Sequence, residues 1–512
     1  MKYVCGIDIG TTGTKAIIFS QTGEKIANAY TEYPCSFPES GWSEQDWDQM
    51  FSQMCGATKE CLEKSGLNPK DIVSLSISSQ RCTLICVDEN EKALAPCITW
   101  QDRRSFEECR EIDKIIGEDK YYEITGLPND PTWSVSKIMW IKKHKPELYN
   151  KANKFVLCHD LYLKKLGAND YYQDWSNGSL YGLMDIQKFE WHKELTEKLS
   201  IDMDKLPILV PSGKVIGKVD ANGSKLSGFA EGTLLVAGGG DQQCAAMGAG
   251  ATKKGVIEVT IGTAGVTVAY MDAPIYDKSK KLPLSAHTVA GKWETEGLQL
   301  AAGSALKWFR NELALKEMME SVELGVDPFK LIDDEVAKLK PCDGIVCLPF
   351  FAGSAAPHWD PFARGAFVGL GLGTSRIQLA RTIMEGVSFE TREIIEQMLT
   401  NGVTIDTVVL TGGAAKSSIW NQIQADIFGI PCGKLKIEEA TSLGAAILAA
   451  LGAELYASQD EAVEKMVSIV DYAQPNEENH KIYTKYFQIY KDVYKALRDS
   501  NVFERLYNLS TE

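Results

Sequence analysis

The sequence predicts an α/β protein built from two related domains, and three observations predict it. At 512 residues the chain is longer than one ordinary hydrophobic core serves. Apolar runs of strand length alternate with stretches of helical spacing along the whole chain. The turn Ile9-Gly10-Thr11-Thr12-Gly13-Thr14 recurs as Ile261-Gly262-Thr263-Ala264-Gly265-Val266. Each copy lies between two β-rich runs near the start of one half of the chain, which points to an internal duplication. The expected division is 1–250 and 251–512.

The first half opens with an apolar run, Tyr3 to Ile9, interrupted only by Asp8. A Gly- and Thr-rich turn follows, then a returning strand to Phe19, a second turn at Gly23 and a third strand near Ile26 to Tyr30. Trp47 to Lys64 and Ser105 to Ile116 have helical spacing; Ile72 to Ser78, Thr83 to Val87 and Leu234 to Ala237 read as strands. The aromatic-rich stretch 125–191 reads as a specialised insertion. In the second half, Val256 to Thr260, Val266 to Tyr270 and Thr407 to Leu410 read as strands. Ala380 to Leu399, Ser417 to Phe428 and Thr441 to Leu451 read as helices, and Tyr483 to Leu506 as an amphipathic helix packed on the body.

Composition narrows the function. The formal net charge of −15 excludes non-specific nucleic-acid binding, which relies on Lys and Arg against phosphates. An anionic ligand remains compatible, because backbone N–H groups and a metal ion hold a triphosphate inside an acidic protein. Thirteen cysteines, an odd number without framework spacing, read as reduced thiols. Asp8 interrupts the N-terminal apolar run too early for a signal peptide, and Leu443 to Leu451 is too short to span a bilayer. The cytoplasm is the expected compartment.

Three features carry chemistry. The turn after Asp8 offers N–H groups and hydroxyls to phosphate oxygens, Asp8 suits a hydrated Mg²⁺, and Lys15 suits a phosphate; the plain alternative is an ordinary turn with one buried Asp. Gly238-Gly239-Gly240-Asp241 precedes a helix, so Asp241 is either a proton acceptor for a substrate hydroxyl or simply the helix N-cap. Thr411-Gly412-Gly413-Ala414, between a strand and a helix, makes a ledge for an adenosine or an ordinary βα-turn. No G-x-x-x-x-G-K-[ST] loop and no H-R-D catalytic loop is present.

In this order the pieces resemble the FGGY family of carbohydrate kinases, with its two actin-like (ribonuclease H-like) domains and central cleft. The resemblance runs over Gly6 to Lys15, Trp100-Gln101-Asp102-Arg103-Arg104, Gly238 to Gln243, Ile261 to Gly265, Gly369 to Gly371 with Glu385-Gly386, Leu410 to Lys416, and Thr441 to Ala446. It implies an ATP- and Mg²⁺-dependent kinase for a small sugar or polyol that lies against the N-terminal domain, with domain closure excluding water. Asp241 matches the family's catalytic base and, with Asp8, its metal site. Thr11, Thr12, Gly13 and Lys15 match the first phosphate loop, Gly262 and Thr263 the second. Gly412, Gly413 and Ala414 match the nucleotide ledge, with Gly303 and Ser304 near it.

For the acceptor, the resemblance points to Gln80, Arg81, Cys82, Trp100, Asp102, Thr132 and Gln242. Trp100 is alternatively core packing, and Asp102 alternatively a loop anchor paired with Arg103. Gln80-Arg81-Cys82 resembles the glycerol kinase pattern Gln-Arg-Glu with Cys82 in place of the Glu, and Thr132 stands where glycerol kinases place a Tyr. The xylulokinase pattern Gln-Met-His-Gly is also missing, although length and tail resemble that branch. A ketopentose, D-xylulose first, is the expected acceptor. Glycerol, another linear polyol or an unusual sugar is the alternative, and a nucleotide-binding regulator without transfer is the alternative of another class. The family's common homodimer is carried over as an analogy.

Overall fold

The computed structural model describes residues 2–511. The chain forms two compact units. The first comprises the chain through Lys253 together with Tyr270–Thr295 and Glu439–Ser468; the second comprises Lys254–Ala269, Glu296–Glu438 and the chain from Ile469 onward.

In the first unit, β1 (Tyr3–Ile9), β2 (Gly13–Ser20), β3 (Lys25–Glu32), β4 (Ile72–Ser79), β5 (Val215–Lys218) and β6 (Leu234–Gly240) form one sheet in the order β5-β6-β4-β1-β2-β3. Val4, Ile7, Ile9, Ile17, Leu75 and Ile77 are fully buried. Each such side chain contributes about 1.5–3 kcal/mol on leaving water. The helix Trp47–Ser65 covers β2 and β3. It starts where the Asp46 carboxylate accepts the Gln49 N–H, and it stops at Gly66, whose φ of +63° closes the last turn.

The second unit has its own sheet, in which β7 (Gly255–Ile261), β8 (Gly265–Met271), β9 (Ile405–Thr411), β10 (Cys432–Leu435) and β11 (Ile469–Ala473) run in the order β8-β7-β9-β10-β11. The duplication is visible in the pairing. β1 is antiparallel to β2 and parallel to β4, β4 is parallel to β6, and β6 is antiparallel to β5. β7 is likewise antiparallel to β8 and parallel to β9, β9 is parallel to β10, and β10 is antiparallel to β11.

The expected contiguous division at residue 250 differs from this grouping. The helix Ala440–Gly452, late in the chain, packs on β1, β4 and β6 and on the helix Asp241–Gly248 of the first unit. Glycines make that approach possible. A Cβ on Gly6 would stand 1.9 Å from the Ser442 carbonyl oxygen, one on Gly248 1.9 Å from that of Ala440, and one on Gly444 1.9 Å from that of Cys244.

The tail forms two helices rather than one. Glu477–Asp499 buries Tyr483, Phe487, Tyr490 and Tyr494 along one stripe, and the chain breaks at Asn501, φ +52°, before Val502–Thr511. Tyr483 anchors the first of these: its hydroxyl bonds Glu385 at 2.8 Å and Arg381 at 2.9 Å. Among the described residues no helix is long and apolar enough to cross a membrane.

Candidate active site

Sheet register in the first unit brings two acids together. Asp8 on β1 lies opposite Ser78 on β4, and Ser78 lies opposite Gly239 on β6; one step on, Ile9, Ser79 and Gly240 align. The strands run parallel, so β1 ends beside the start of the helix Asp241–Gly248. The three glycines are part of β6 rather than a loop after it. Gly238 forms an irregularity in the strand, where a Cβ would stand 1.7 Å from the Ile77 carbonyl oxygen.

Asp241 is the first residue of its helix, and Gly240 takes the cap position. The plain N-cap reading of Asp241 therefore fails: its Oδ1 accepts the Gln242 N–H at 2.8 Å and lies 3.1 Å from Arg81 Nε. About a third of the Asp241 side chain, 32%, remains exposed, so one face can meet a substrate. Asp8 accepts the Ser78 hydroxyl at 3.1 Å. Burial first, then the neighbouring Asp241 carboxylate, push Asp8 up to about 7, against the Ser78 hydrogen bond and Lys15. Lys15 stands directly opposite Asp8 in the β1–β2 hairpin. Two neighbouring hard carboxylates, one of them kept from ionising mainly by burial, are a donor set that suits Mg²⁺.

The first phosphate loop is tied to the acceptor candidates. The Trp100 indole donates to the Thr11 hydroxyl at 2.9 Å, so Trp100 is not merely core packing. Gln45, which the sequence did not single out, donates to the Thr11 carbonyl at 2.6 Å and accepts from Gln80 Nε2 at 2.9 Å. Gln80 Oε1 and Gln242 Oε1 are buried without a hydrogen-bond partner among the described residues, two acceptors the surrounding side chains leave unused. Thr12 is exposed, and Gly13 begins β2 where a Cβ would stand 2.3 Å from the Thr31 carbonyl.

Two acceptor candidates point elsewhere. Asp102 is fully buried, and both its oxygens are taken: Oδ1 by Arg104 N and Nε, Oδ2 by Ser43 N and Arg104 Nη2. It anchors its loop, with Arg104 rather than the expected Arg103. Arg103 instead bonds Asp130 at 2.6 Å and Thr132 at 3.2 Å. Cys82 is buried in a hydrophobic cluster with its thiol on the Leu180 carbonyl at 3.4 Å, so it does not replace the missing Glu.

Cys82 has φ +60°, a conformation costing an ordinary residue about 1–3 kcal/mol. Lys137, also unforeseen, holds it: Nζ donates to the Cys82 carbonyl at 2.7 Å and to that of Thr132 at 2.8 Å. Burial lowers Lys137 to about 8.

In the second unit, Gly262 and Thr263 meet the start of the helix Gly303–Leu313. Gly303 N–H bonds the Gly262 carbonyl at 2.9 Å, and the Ser304 hydroxyl bonds that of Thr263 at 2.8 Å. A Cβ on Gly303 would stand 2.3 Å from the Gly262 oxygen. Gly412, φ +77°, crosses β7 where a Cβ would meet the Ile261 oxygen at 2.6 Å. Gly413 faces open space, and Ala414 is buried in the short 3₁₀ turn Gly413–Lys416 that precedes the helix Ser418–Phe428. Thr411, Gly412, Lys416, Lys434 and Glu438 line a shallow depression there.

Beneath it, Glu258 is fully buried and accepts the hydroxyls of Thr260 and Thr411. Burial pushes it up to about 7 against those two hydrogen bonds.

The family model for the N-terminal domain of the FGGY family of carbohydrate kinases matches residues 3–248, and that for the C-terminal domain matches residues 258–453. The chain belongs to the FGGY family of carbohydrate kinases. The xylulose kinase of Bacillus subtilis (strain 168) is 32% identical over 501 residues, covering 98% of each chain. The gluconokinase of the same organism is 31% identical, covering 97% of this chain and 96% of its own. The glycerol kinase of Thermoanaerobacter sp. (strain X514) is also 31% identical, covering 94% and 96%. The crystal structure of xylulose kinase from Rhodospirillum rubrum superposes with a TM-score of 0.88 at 25% identity, covering 98% of this chain and 100% of that one. The FGGY chain therefore has the actin-like α/β fold of these kinases and acts on a small sugar or polyol with ATP as phosphate donor. Three kinase names at nearly equal identity leave the acceptor to the site itself.

Proposed function

We propose that this FGGY kinase phosphorylates a hydroxyl of a linear ketopentose, D-xylulose first, with Asp241 as the base. The observation that carries the reading is the register that sets Asp8 beside Asp241, with Arg81 3.1 Å from the latter. ATP supplies the phosphoryl group, and Asp8 and Asp241 would hold Mg²⁺, which would neutralise phosphate charge when bound. Asp241 takes the proton of the attacking hydroxyl, while the Arg81 guanidinium, 3.1 Å away, orients its carboxylate. Gln80 and Gln242 accept from other hydroxyls, and Trp100 closes the acceptor side against Thr11. In the first unit Thr11, Thr12, Gly13 and Lys15 form a loop suited to phosphate oxygens; in the second unit Gly262, Thr263 and the Gly412–Ala414 ledge form a nucleotide-binding loop set, with Gly303 bracing it.

The acceptor follows from what is missing. A glycerol pocket that relies on a carboxylate and a phenol has here a thiol turned to Leu180 and a threonine engaged by Asp130 and Arg103. Lost partners for small-polyol hydroxyls weaken that substrate. All thirteen cysteines are free thiols, which supports a reducing compartment such as the cytoplasm.

The test is ADP release across ketopentoses, aldonates, glycerol and other polyols, with and without Mg²⁺. D-xylulose should give the highest kcat/KM, and turnover should need both acceptor and Mg²⁺. A higher kcat/KM for glycerol or gluconate would reassign the acceptor. ADP release at full rate without any acceptor would remove the transfer reading.

A further inference from the structure

Below the Asp8–Asp241 pair lies a buried polar cluster that the reaction as described does not use. His159, on the helix Cys158–Leu166, is 1% exposed. Its Nδ1 stands 2.7 Å from the Ser79 hydroxyl. Its Nε2 stands 2.9 Å from Asp160 Oδ1 and 3.3 Å from Asp174 Oδ2. Burial alone would discharge the ring; the two carboxylates outweigh it and hold His159 up at about 10, so it is an imidazolium at neutral pH. A protonated Nε2 has no lone pair for the Gln173 amide nitrogen 3.0 Å away. The amide oxygen belongs there instead, which also gives the partnerless Gln173 Oε1 a donor.

Two arms leave this ring and converge on one place. The first runs through Ser79, the last residue of β4, into Gln80 and Arg81, whose Nε meets Asp241. The second runs through Asp174. Its Oδ1 accepts the Ser176 hydroxyl at 2.5 Å and the Asn177 N–H at 2.9 Å, and its Oδ2 accepts Asn177 Nδ2 at 2.9 Å. Ser176 Oγ in turn accepts the Gly240 N–H at 3.0 Å, one residue before Asp241. Ser79 and Gly240 are also register partners across β4 and β6. One ring thus grips both strands whose next residues carry the ion pair.

We propose that His159 is a positioning residue for phosphoryl transfer, acting through Ser79 on Arg81 and through Asp174 and Ser176 on Asp241. This rests on Asp241 being the base. A buried charge among two acids is an expensive way to hold a fold, since well-packed apolar residues of that volume do as well or better. It does lock rotamers: both Asp174 oxygens, the Ser176 hydroxyl and the Gly240 N–H are each fixed by a partner, and proton abstraction depends on sub-ångström placement of the carboxylate.

Replacing His159 itself leaves Asp160 and Asp174 without their cation and can prevent folding. Ser176→Ala removes the acceptor of the Gly240 N–H and one of the donors to Asp174 Oδ1, but leaves the His159 ring between its two carboxylates, which keeps the test open. Expected for Ser176→Ala is a kcat at least tenfold lower, with the melting temperature down by only a few degrees and the dissociation constant for ATP unchanged. His159→Gln, where it folds, should show the same split between kcat and nucleotide affinity. On an Asp241→Asn background Ser176→Ala should have no further effect, because the carboxylate it positions is gone; a general loosening would lower the residual rate again. A kcat within twofold of the parent, or an ATP dissociation constant rising in step with the lost turnover, overturns the positioning role. If Asp241→Asn alone keeps near-normal turnover, the base reading fails. If Asp241→Asn is inactive and Ser176→Ala is unaffected, only the positioning role fails.

Discussion

Trp100 donates its indole N–H to the Thr11 hydroxyl at 2.9 Å, joining an acceptor candidate directly to the first phosphate loop. Trp100→Phe keeps an aromatic ring and removes the donor. A lost hydrogen bond of this kind is worth about 0.5–1.5 kcal/mol, so kcat/KM for the acceptor should fall roughly two- to thirteenfold. Steady-state kinetics with each substrate varied in turn checks this; unchanged constants for both substrates would reduce Trp100 to packing.

Lys137 ties the Arg81–Cys82 segment to Thr132 through two carbonyls. Lys137→Met preserves length and apolar volume but releases both carbonyls and the positive φ at Cys82. Leaving two buried acceptors unmet should cost about 2–4 kcal/mol of stability. The acceptor KM should rise while the KM for ATP stays put, because both Lys137 hydrogen bonds go to acceptor-side carbonyls, those of Cys82 and Thr132. Denaturant unfolding and kinetics read the two effects separately.

Glu258 gives the second unit a defined pH response. Its folded value, about 7, lies above the ordinary 4.5, with burial as the cause and the Thr260 and Thr411 hydroxyls opposing it. Between those values the folded state binds the extra proton and the unfolded state does not, so stability falls as pH rises through that window. Glu258→Gln carries no charge to bury. It should raise the melting temperature near pH ~8 by a few degrees, and the gain should vanish by pH ~4. A gain that is the same at both ends would contradict the ionisation account.

Tyr483→Phe removes the hydroxyl that bonds both Glu385 and Arg381 at the C-terminal helix. The Arg381–Glu385 pair remains, so the cost should be about 1–3 kcal/mol in denaturant unfolding, with kcat and both KM values unchanged. Loss of activity at constant stability would give this helix a role beyond packing.

The duplicated turns were legible because glycines and threonines at strand ends are constrained by backbone geometry, which a short window of sequence records. Asp8 and Asp241 were legible for the same reason: each lies next to such glycines. The partners were not. Asp102 and Arg103 are neighbours in sequence, yet Arg104 takes the carboxylate because the loop turns Arg103 toward Asp130. Gln45, Lys137 and His159 sit in unremarkable local patterns and acquire their roles from residues 30 to 60 or more positions away, as with Gln45 and Thr11 or Lys137 and Cys82. Glu258 escaped notice because its counterpart in the first copy is Gly6, where the backbone of the helix Ala440–Gly452 leaves no room for a side chain.

The central claim is that Asp241 takes the proton of the hydroxyl being phosphorylated. Asp241→Asn keeps the side chain's shape and the Gln242 contact but abolishes the basic oxygen. Removing a general base costs about 10²–10⁴ in rate, and single-turnover transfer to D-xylulose should fall by at least that much while the ATP dissociation constant stays within a few-fold. Near-normal transfer by Asp241→Asn would contradict the account.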